Sequence, residues 1–136
     1  MTTPFHGVDE DVIREVLDAE PTVHLAYLFG SVARGTAGPL SDIDIGVVLS
    51  DCGGALGALE DALADRLGTD RVDLVSLTST PYPLRYRVVR DGRVLLCRDA
   101  VLRERFEVDA ILHYLDFKPL RDRAFAQVRA AILRQS

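Results

Sequence analysis

Two short apolar runs, separated by a loop of glycine and proline, constrain most strongly how this chain can fold. The first run, Val23–Phe29, leads directly into Gly30-Ser31, and the loop that follows spans Gly35–Pro39. A strand that ends in Gly-Ser and opens into a helical turn leaves backbone N–H groups free, and such groups bind phosphate well. We therefore expect a phosphate-binding turn at the end of the first run.

The second apolar run, residues 41–49, carries two aspartates near its start. Because side chains alternate along a strand, Asp42 and Asp44 should share one face, while Ile43 and Ile45 point into the core. Aspartate is depleted in strands, and a divalent cation would reverse the repulsion between two neighbouring carboxylates. The spacing alone also fits a half-solvated edge strand, but the adjacent phosphate-binding turn favours a site for a metal-bound nucleotide.

The two elements together resemble the signature of a known family. Gly30–Gly35 reads GSVARG and Ser41–Asp44 reads SDID, and this pairing is similar to the motif of the DNA polymerase β-like nucleotidyltransferases. Within that superfamily the short chain resembles the minimal nucleotidyltransferases, prokaryotic proteins often paired with a HEPN-domain toxin for which they act as antitoxin. The resemblance implies an α/β (α+β) fold with a small mixed sheet flanked by helices.

The resemblance also implies catalytic and metal-binding residues. Asp42 and Asp44, together with Asp73 on a third strand, would be catalytic and would bind two Mg²⁺ ions, with ATP as the substrate. Asp73 follows the second long helix, where the family has its third carboxylate, and the alternative is an ion pair with an arginine such as Arg71. Three aspartates without a cluster of histidine and cysteine suit Mg²⁺ rather than Zn²⁺.

Four further residues of the motif would contact the nucleotide: Gly30, Ser31, Arg34 and Ser41. Gly30 would let the backbone approach the triphosphate. Ser31 would donate a hydrogen bond to it, a role that is compatible with capping a short helix. Arg34 would either hold phosphate or pair with a nearby carboxylate, and the sequence leaves both open.

Length and composition describe an ordinary globular protein. The 136 residues predict a single domain over 1–136, with a core over about 8–98 and a C-terminal helical segment over about 99–135. The net charge of −5 argues against a dedicated nucleic-acid binder. No apolar run reaches membrane-spanning length, no signal sequence is evident, and the two cysteines are expected as free thiols. We expect a cytoplasmic protein without direct contact to nucleic acid or membrane.

The spacing of apolar residues and the positions of glycine and proline predict the helices and strands. The predicted helices and strands are helix Val8–Ala19, strand Val23–Phe29, strand Ser41–Leu49, helix Ala55–Leu67, strand Arg71–Leu77, helix Leu84–Val89 and strand Val94–Cys97. In helix Val8–Ala19 the charged residues, Glu10 among them, lie mostly off one apolar stripe, which is formed by Val8, Val12, Ile13, Val16 and Leu17. Gly68 should end helix Ala55–Leu67, and a linker is expected over Thr78–Pro83. Residues 99–135 should be mostly helical, with Pro119 interrupting them before an amphipathic piece over Leu120–Leu133.

Three functions fit the sequence. The first is an antitoxin that adenylylates a protein, transferring AMP from ATP to a tyrosine of a cognate HEPN ribonuclease. The second is a nucleotidyltransferase for a small molecule such as an aminoglycoside, and the third is an idle member that only binds its toxin. The short chain after Asp73 favours the first over the second, and the complete set of aspartates argues against the third. Neither a P-loop nor a Rossmann glycine motif is present.

Overall fold

The computed structural model describes residues 10–30, 33, 42–50, 54–115, 123, 126, 127 and 129–131. In chain order the elements are α1 (Glu10–Asp18), β1 (Val23–Phe29), β2 (Ile43–Leu49), α2 (Leu56–Leu67), β3 (Val72–Ser76), a 3₁₀ turn (Leu77–Ser79), α3 (Tyr82–Asp91), β4 (Arg93–Cys97) and α4 (Ala100–Tyr114). Among these residues no helix is both long and apolar enough to cross a membrane.

The four strands form one mixed sheet in the order β3-β2-β1-β4. β1 runs antiparallel to both β2 and β4, whereas β2 and β3 are parallel. This arrangement confirms the predicted small mixed sheet flanked by helices. It also brings the end of β1 and the starts of β2, β3 and β4 to the same end of the sheet.

Helices cover both faces of the sheet. On one face, α1 and α2 contribute buried side chains to the larger core cluster, which includes Ile13, Leu17 and Leu63. On the other face, α3 and α4 pack over a smaller cluster around Tyr27 and Leu77. Because successive residues of a strand alternate between these clusters, each side chain of β2 can be assigned to a face.

The helix α1 departs from its prediction at Glu10. Ile13, Val16 and Leu17 are buried as the apolar stripe predicts, but Glu10, expected on the polar side, is only 5% exposed. Its carboxylate accepts a hydrogen bond of 3.0 Å from Arg93 of β4. The long-range partner explains the burial, since a buried charge is tolerated when it is paired. Val8, the predicted start of the stripe, lies outside the described residues.

Several predicted boundaries are confirmed and others are wrong. β1 has the predicted bounds, and α2 ends at Gly68 in the left-handed conformation, as expected. The linker over Thr78–Pro83 is wrong, because a 3₁₀ turn occupies Leu77–Ser79 and Pro83 belongs to the first turn of α3. Proline suits that position, since the first N–H groups of a helix have no intrahelical partner.

The C-terminal segment is described only in part. α4 ends at Tyr114, and residues 123, 126, 127 and 129–131 are helical. Pro119 and most of the amphipathic stripe lie outside the described residues. The division into a core and a C-terminal helical segment stays a prediction. Cys97 is a free, exposed thiol, and Cys52 lies outside the described residues.

Candidate active site

The predicted phosphate-binding turn begins at Gly30, directly after β1. Gly30 has φ +74°, in the left-handed region that favours glycine. A Cβ on Gly30 would overlap Oδ2 of Asp44 and would lie 3.1 Å from its Cγ. Gly30 therefore lies directly against a carboxylate that the sequence assigns to the same site. Ser31, Arg34 and Ser41 lie outside the described residues.

Asp42 and Asp44 mark the start of β2. Asp42 is exposed and immediately precedes the strand, so it is not a strand residue as predicted, whereas Asp44 is the second residue of β2 and is half-buried. Asp44 pairs with Phe29 of β1. Ile43 and Ile45 are buried in the larger core cluster, as the alternation of the sequence predicts. Asp44 consequently lies on the opposite face, which α3 and α4 cover.

Asp73 lies beside Asp44 in the parallel neighbour strand. The two residues are register partners in the β2–β3 pair, so their side chains project from the same face of the sheet. Neighbouring strands are about 4.8 Å apart. Asp73 is exposed, while Val72 and Leu74 on either side of it are buried.

The donor set fits a hard divalent cation. Asp42, Asp44 and Asp73 offer only carboxylate oxygens, the ligands that Mg²⁺ prefers. Among the described residues no group of three or more histidine, cysteine, aspartate or glutamate side chains is already gathered in metal-binding geometry. Magnesium usually takes one or two protein carboxylates and fills its remaining positions with water and phosphate oxygens. The structure places two of the three aspartates, Asp44 and Asp73, side by side on adjacent strands, and two is a number of carboxylates that Mg²⁺ commonly takes from a protein.

Tyr27 lies on the same sheet face but does not belong to the reactive groups. It is 2% exposed, pairs in register with Gly46, and its ring lies 6.1 Å from that of Phe106. Burial, with a smaller contribution from Glu107, raises the pKa of its hydroxyl well above the ordinary value. Tyr27 therefore stays neutral at physiological pH, as a core residue should.

Sequence reasoning missed the close approach of Gly30 to Asp44 and the buried pair of Glu10 and Arg93. The second lies near the same end of the sheet, because Arg93 is the register partner of Leu28 in the β1–β4 pair. The positive φ that Gly30 requires is signalled by glycine itself. Arg93 carries no local signal, since its partner is 83 residues away.

Comparison with known proteins identifies the family. The family model described as polymerase beta, nucleotidyltransferase, matches residues 11–101, which span all four strands and the aspartates of the site. The chain belongs to the polymerase beta nucleotidyltransferase family. This membership confirms the resemblance and the fold predicted from the paired Gly-Ser and Asp-x-Asp motifs.

The chain is also similar to individual proteins of known name and to solved structures. The chain is 39% identical to the protein adenylyltransferase MntA of Shewanella oneidensis over 89 residues, which cover 64% of this chain and 63% of the relative. It is 35% identical to a chain in a crystal structure of a toxin–antitoxin with AMP-PNP, with a TM-score of 0.70 and coverage of 90% and 99% of the two chains. A structure of a tri-AMPylated Shewanella oneidensis HEPN toxin in complex with MNT antitoxin matches at 33% identity, with a TM-score of 0.63 and coverage of 88% and 95%.

Proposed function

We propose that this protein is an antitoxin adenylyltransferase that transfers AMP from ATP to a tyrosine of a cognate HEPN ribonuclease and thereby neutralises it. The observation that carries the proposal is the row formed by Gly30 directly after β1, Asp44 on β2 and Asp73 on β3. This row sits in a chain that is similar to a protein adenylyltransferase and to the antitoxin that accompanies an AMPylated HEPN toxin.

The proposed reaction is an in-line displacement at the α-phosphorus of ATP. The tyrosine oxygen forms a bond to that phosphorus, the bond to the bridging oxygen of the β-phosphate breaks, and pyrophosphate leaves. The phenol proton passes to Asp73, which lies on the outer strand and is exposed to an incoming partner. Tyrosine suits this role, because a phenol with a pKa of about 10 ionises far more readily than an aliphatic hydroxyl.

The chain's own residues position the nucleotide. Asp42, Asp44 and Asp73 would hold two Mg²⁺ ions, which when bound neutralise the charge of the triphosphate and of the leaving pyrophosphate. The backbone at Gly30 and the side chain of Ser31 would bind the phosphates. Arg34 and Ser41 complete the proposed nucleotide contacts. The chemistry then depends on orientation and charge neutralisation rather than on a covalent intermediate.

The proposed modification explains how a ribonuclease would be silenced. AMP on a tyrosine adds a negatively charged phosphodiester and a bulky base. Close to a ribonuclease site, that charge repels the RNA backbone. Because the protein would encounter its toxin and ATP inside the cell, we place the proposed reaction in the cytoplasm.

Labelled ATP tests the transfer. The purified protein, its cognate HEPN ribonuclease and Mg²⁺ are incubated with ATP labelled at the α-phosphate or, in parallel, at the γ-phosphate. Transfer of AMP labels the ribonuclease only in the first reaction, and Asp73→Asn removes the label. Label from the γ-phosphate would show phosphoryl transfer instead, and no label in either reaction would contradict the proposed activity.

A further inference from the structure

We infer that Gly30 is a positioning residue for the Asp44 carboxylate, in addition to any contact that it makes with phosphate. The inference rests on the proposed function, since it concerns the same site. It assigns a second reason for glycine at this position: the bare Cα leaves the volume in which the carboxylate of Asp44 lies.

Three adjacent strands define the space around Asp44. Its register partner on one side is Phe29, the residue before Gly30, and its register partner on the other side is Asp73. A Cβ at residue 30 would overlap Oδ2 of Asp44 and would lie 3.1 Å and 3.3 Å from its Cγ and Cβ. Rotation of the carboxyl group relieves the overlap with Oδ2, but the contacts with Cγ and Cβ stay tight, so the carboxylate has to leave the position that it occupies beside Gly30.

Crowding from the β1 side leaves Asp44 few alternatives. The Asp44 side chain cannot move to the other face of the sheet, because Ile43 and Ile45 on either side of it are buried in the core there. Displacement away from residue 30 moves the carboxylate toward Asp73, where two like charges repel each other. A side chain at residue 30 should therefore disturb the separation of the two carboxylates, and with it the affinity for a divalent cation.

Another glycine provides a matched control. Gly68 at the end of α2 has φ +69°, close to the +74° of Gly30, but a Cβ there would meet no atom within 4 Å. Alanine at either position adds the strain of a left-handed residue. Only alanine at residue 30 also displaces Asp44, so the difference between the two variants measures the effect on the carboxylate.

The first measurement is metal binding without nucleotide. Mn²⁺ is titrated into the wild-type protein, Gly30→Ala and Gly68→Ala, and free Mn²⁺ is followed by electron paramagnetic resonance. We expect Gly30→Ala to lose affinity by about tenfold or more, in the range seen when residues that orient metal ligands are changed, while Gly68→Ala binds as the wild type does. Equal affinity in all three proteins would overturn the inference.

The second measurement is stability, and it remains informative if Gly30→Ala folds poorly. Asp44→Ala removes Oδ2 and Cγ and leaves only the Cβ contact at 3.3 Å. In that background, adding Gly30→Ala should therefore lower the denaturant midpoint by about as much as Gly68→Ala lowers it in the wild type, and by clearly less than Gly30→Ala lowers it when the Asp44 carboxylate is present. An equally large fall with and without the Asp44 carboxylate would contradict the inference. If the metal-binding and stability results are as expected but the wild-type protein transfers no AMP, only the proposed function is contradicted.

Discussion

The ion pair between Glu10 and Arg93 can show whether burial or interatomic distance decides how much an ion pair contributes to the free energy of unfolding. Arg93 Nη2 lies 3.0 Å from Glu10 Oε2, and the two side chains are 46% and 6% exposed. Arg66 and Glu15 are closer, at 2.8 Å, but 49% and 65% exposed. If distance decided this contribution, the Arg66–Glu15 pair would stabilise the protein more. We predict instead that the Arg93–Glu10 pair stabilises it more.

The destabilisation caused by removing one partner depends on how far the remaining charge is buried away from water. Removing one partner of a fully buried pair costs about 3–5 kcal/mol, and an exposed pair contributes about 0.2–1 kcal/mol. Arg93 is nearly half exposed, and Arg14 remains 3.7 Å from Glu10 to compensate in part. We therefore expect Arg93→Ala to cost about 2 kcal/mol, between these limits. Arg66→Ala should cost about 0.5 kcal/mol or less.

The assay is a double-mutant cycle for each pair, read by urea unfolding. Arg93 has a further interaction besides Glu10, so the coupling energy between Arg93→Ala and Glu10→Gln isolates the pair from its other contacts. The matching cycle combines Arg66→Ala with Glu15→Gln, and added salt should weaken only that coupling appreciably. A Glu10–Arg93 coupling energy no larger than that of Glu15–Arg66 would contradict this prediction.

Three further predictions concern α4, the core tyrosine and the site. Asp99 Oδ1 accepts hydrogen bonds from the backbone N–H groups of Val101 and Leu102 at 3.1 Å, so Asp99→Ala should cost about 1 kcal/mol of unfolding free energy; an unchanged urea midpoint would contradict this. Because the pKa of Tyr27 is raised, the unfolded chain loses its phenol proton near pH 10 while the folded chain keeps it, so stability should fall above pH 10, and less steeply in Tyr27→Phe; equal slopes would contradict it. Asp44→Asn should abolish AMP transfer and weaken Mg²⁺-dependent ATP binding measured by calorimetry, and binding that persists in a chelator would remove the metal assignment.

Local pattern predicted the parts of the fold that depend on neighbours in sequence. The bounds of β1 follow from an unbroken apolar run, and the burial of Ile43 and Ile45 follows from strand alternation. Pro83 was misread, since proline ends a helix in most positions but is accommodated in the first turn. The structure places Pro83 in the first turn of α3, which begins at Tyr82.

Contacts across the sheet could not be predicted in the same way. That Asp44 lies against Gly30 depends on the register between β1 and β2, which a one-residue shift would change completely. Glu10 is buried only because β4 brings Arg93 to the start of α1. Asp73 was placed by its position after α2 rather than by any geometry, and the β2–β3 register then puts it beside Asp44.

Turnover distinguishes neutralisation of the toxin by an enzyme from neutralisation by a bound inhibitor. The cognate HEPN ribonuclease is incubated with substoichiometric amounts of this protein, ATP and Mg²⁺, and its intact mass and ribonuclease activity are followed together. We expect mass gains in steps of one AMP over the whole ribonuclease population, with matching loss of activity, and neither change with Asp73→Asn. An unchanged mass, with inhibition appearing only at equimolar antitoxin, would contradict this expectation.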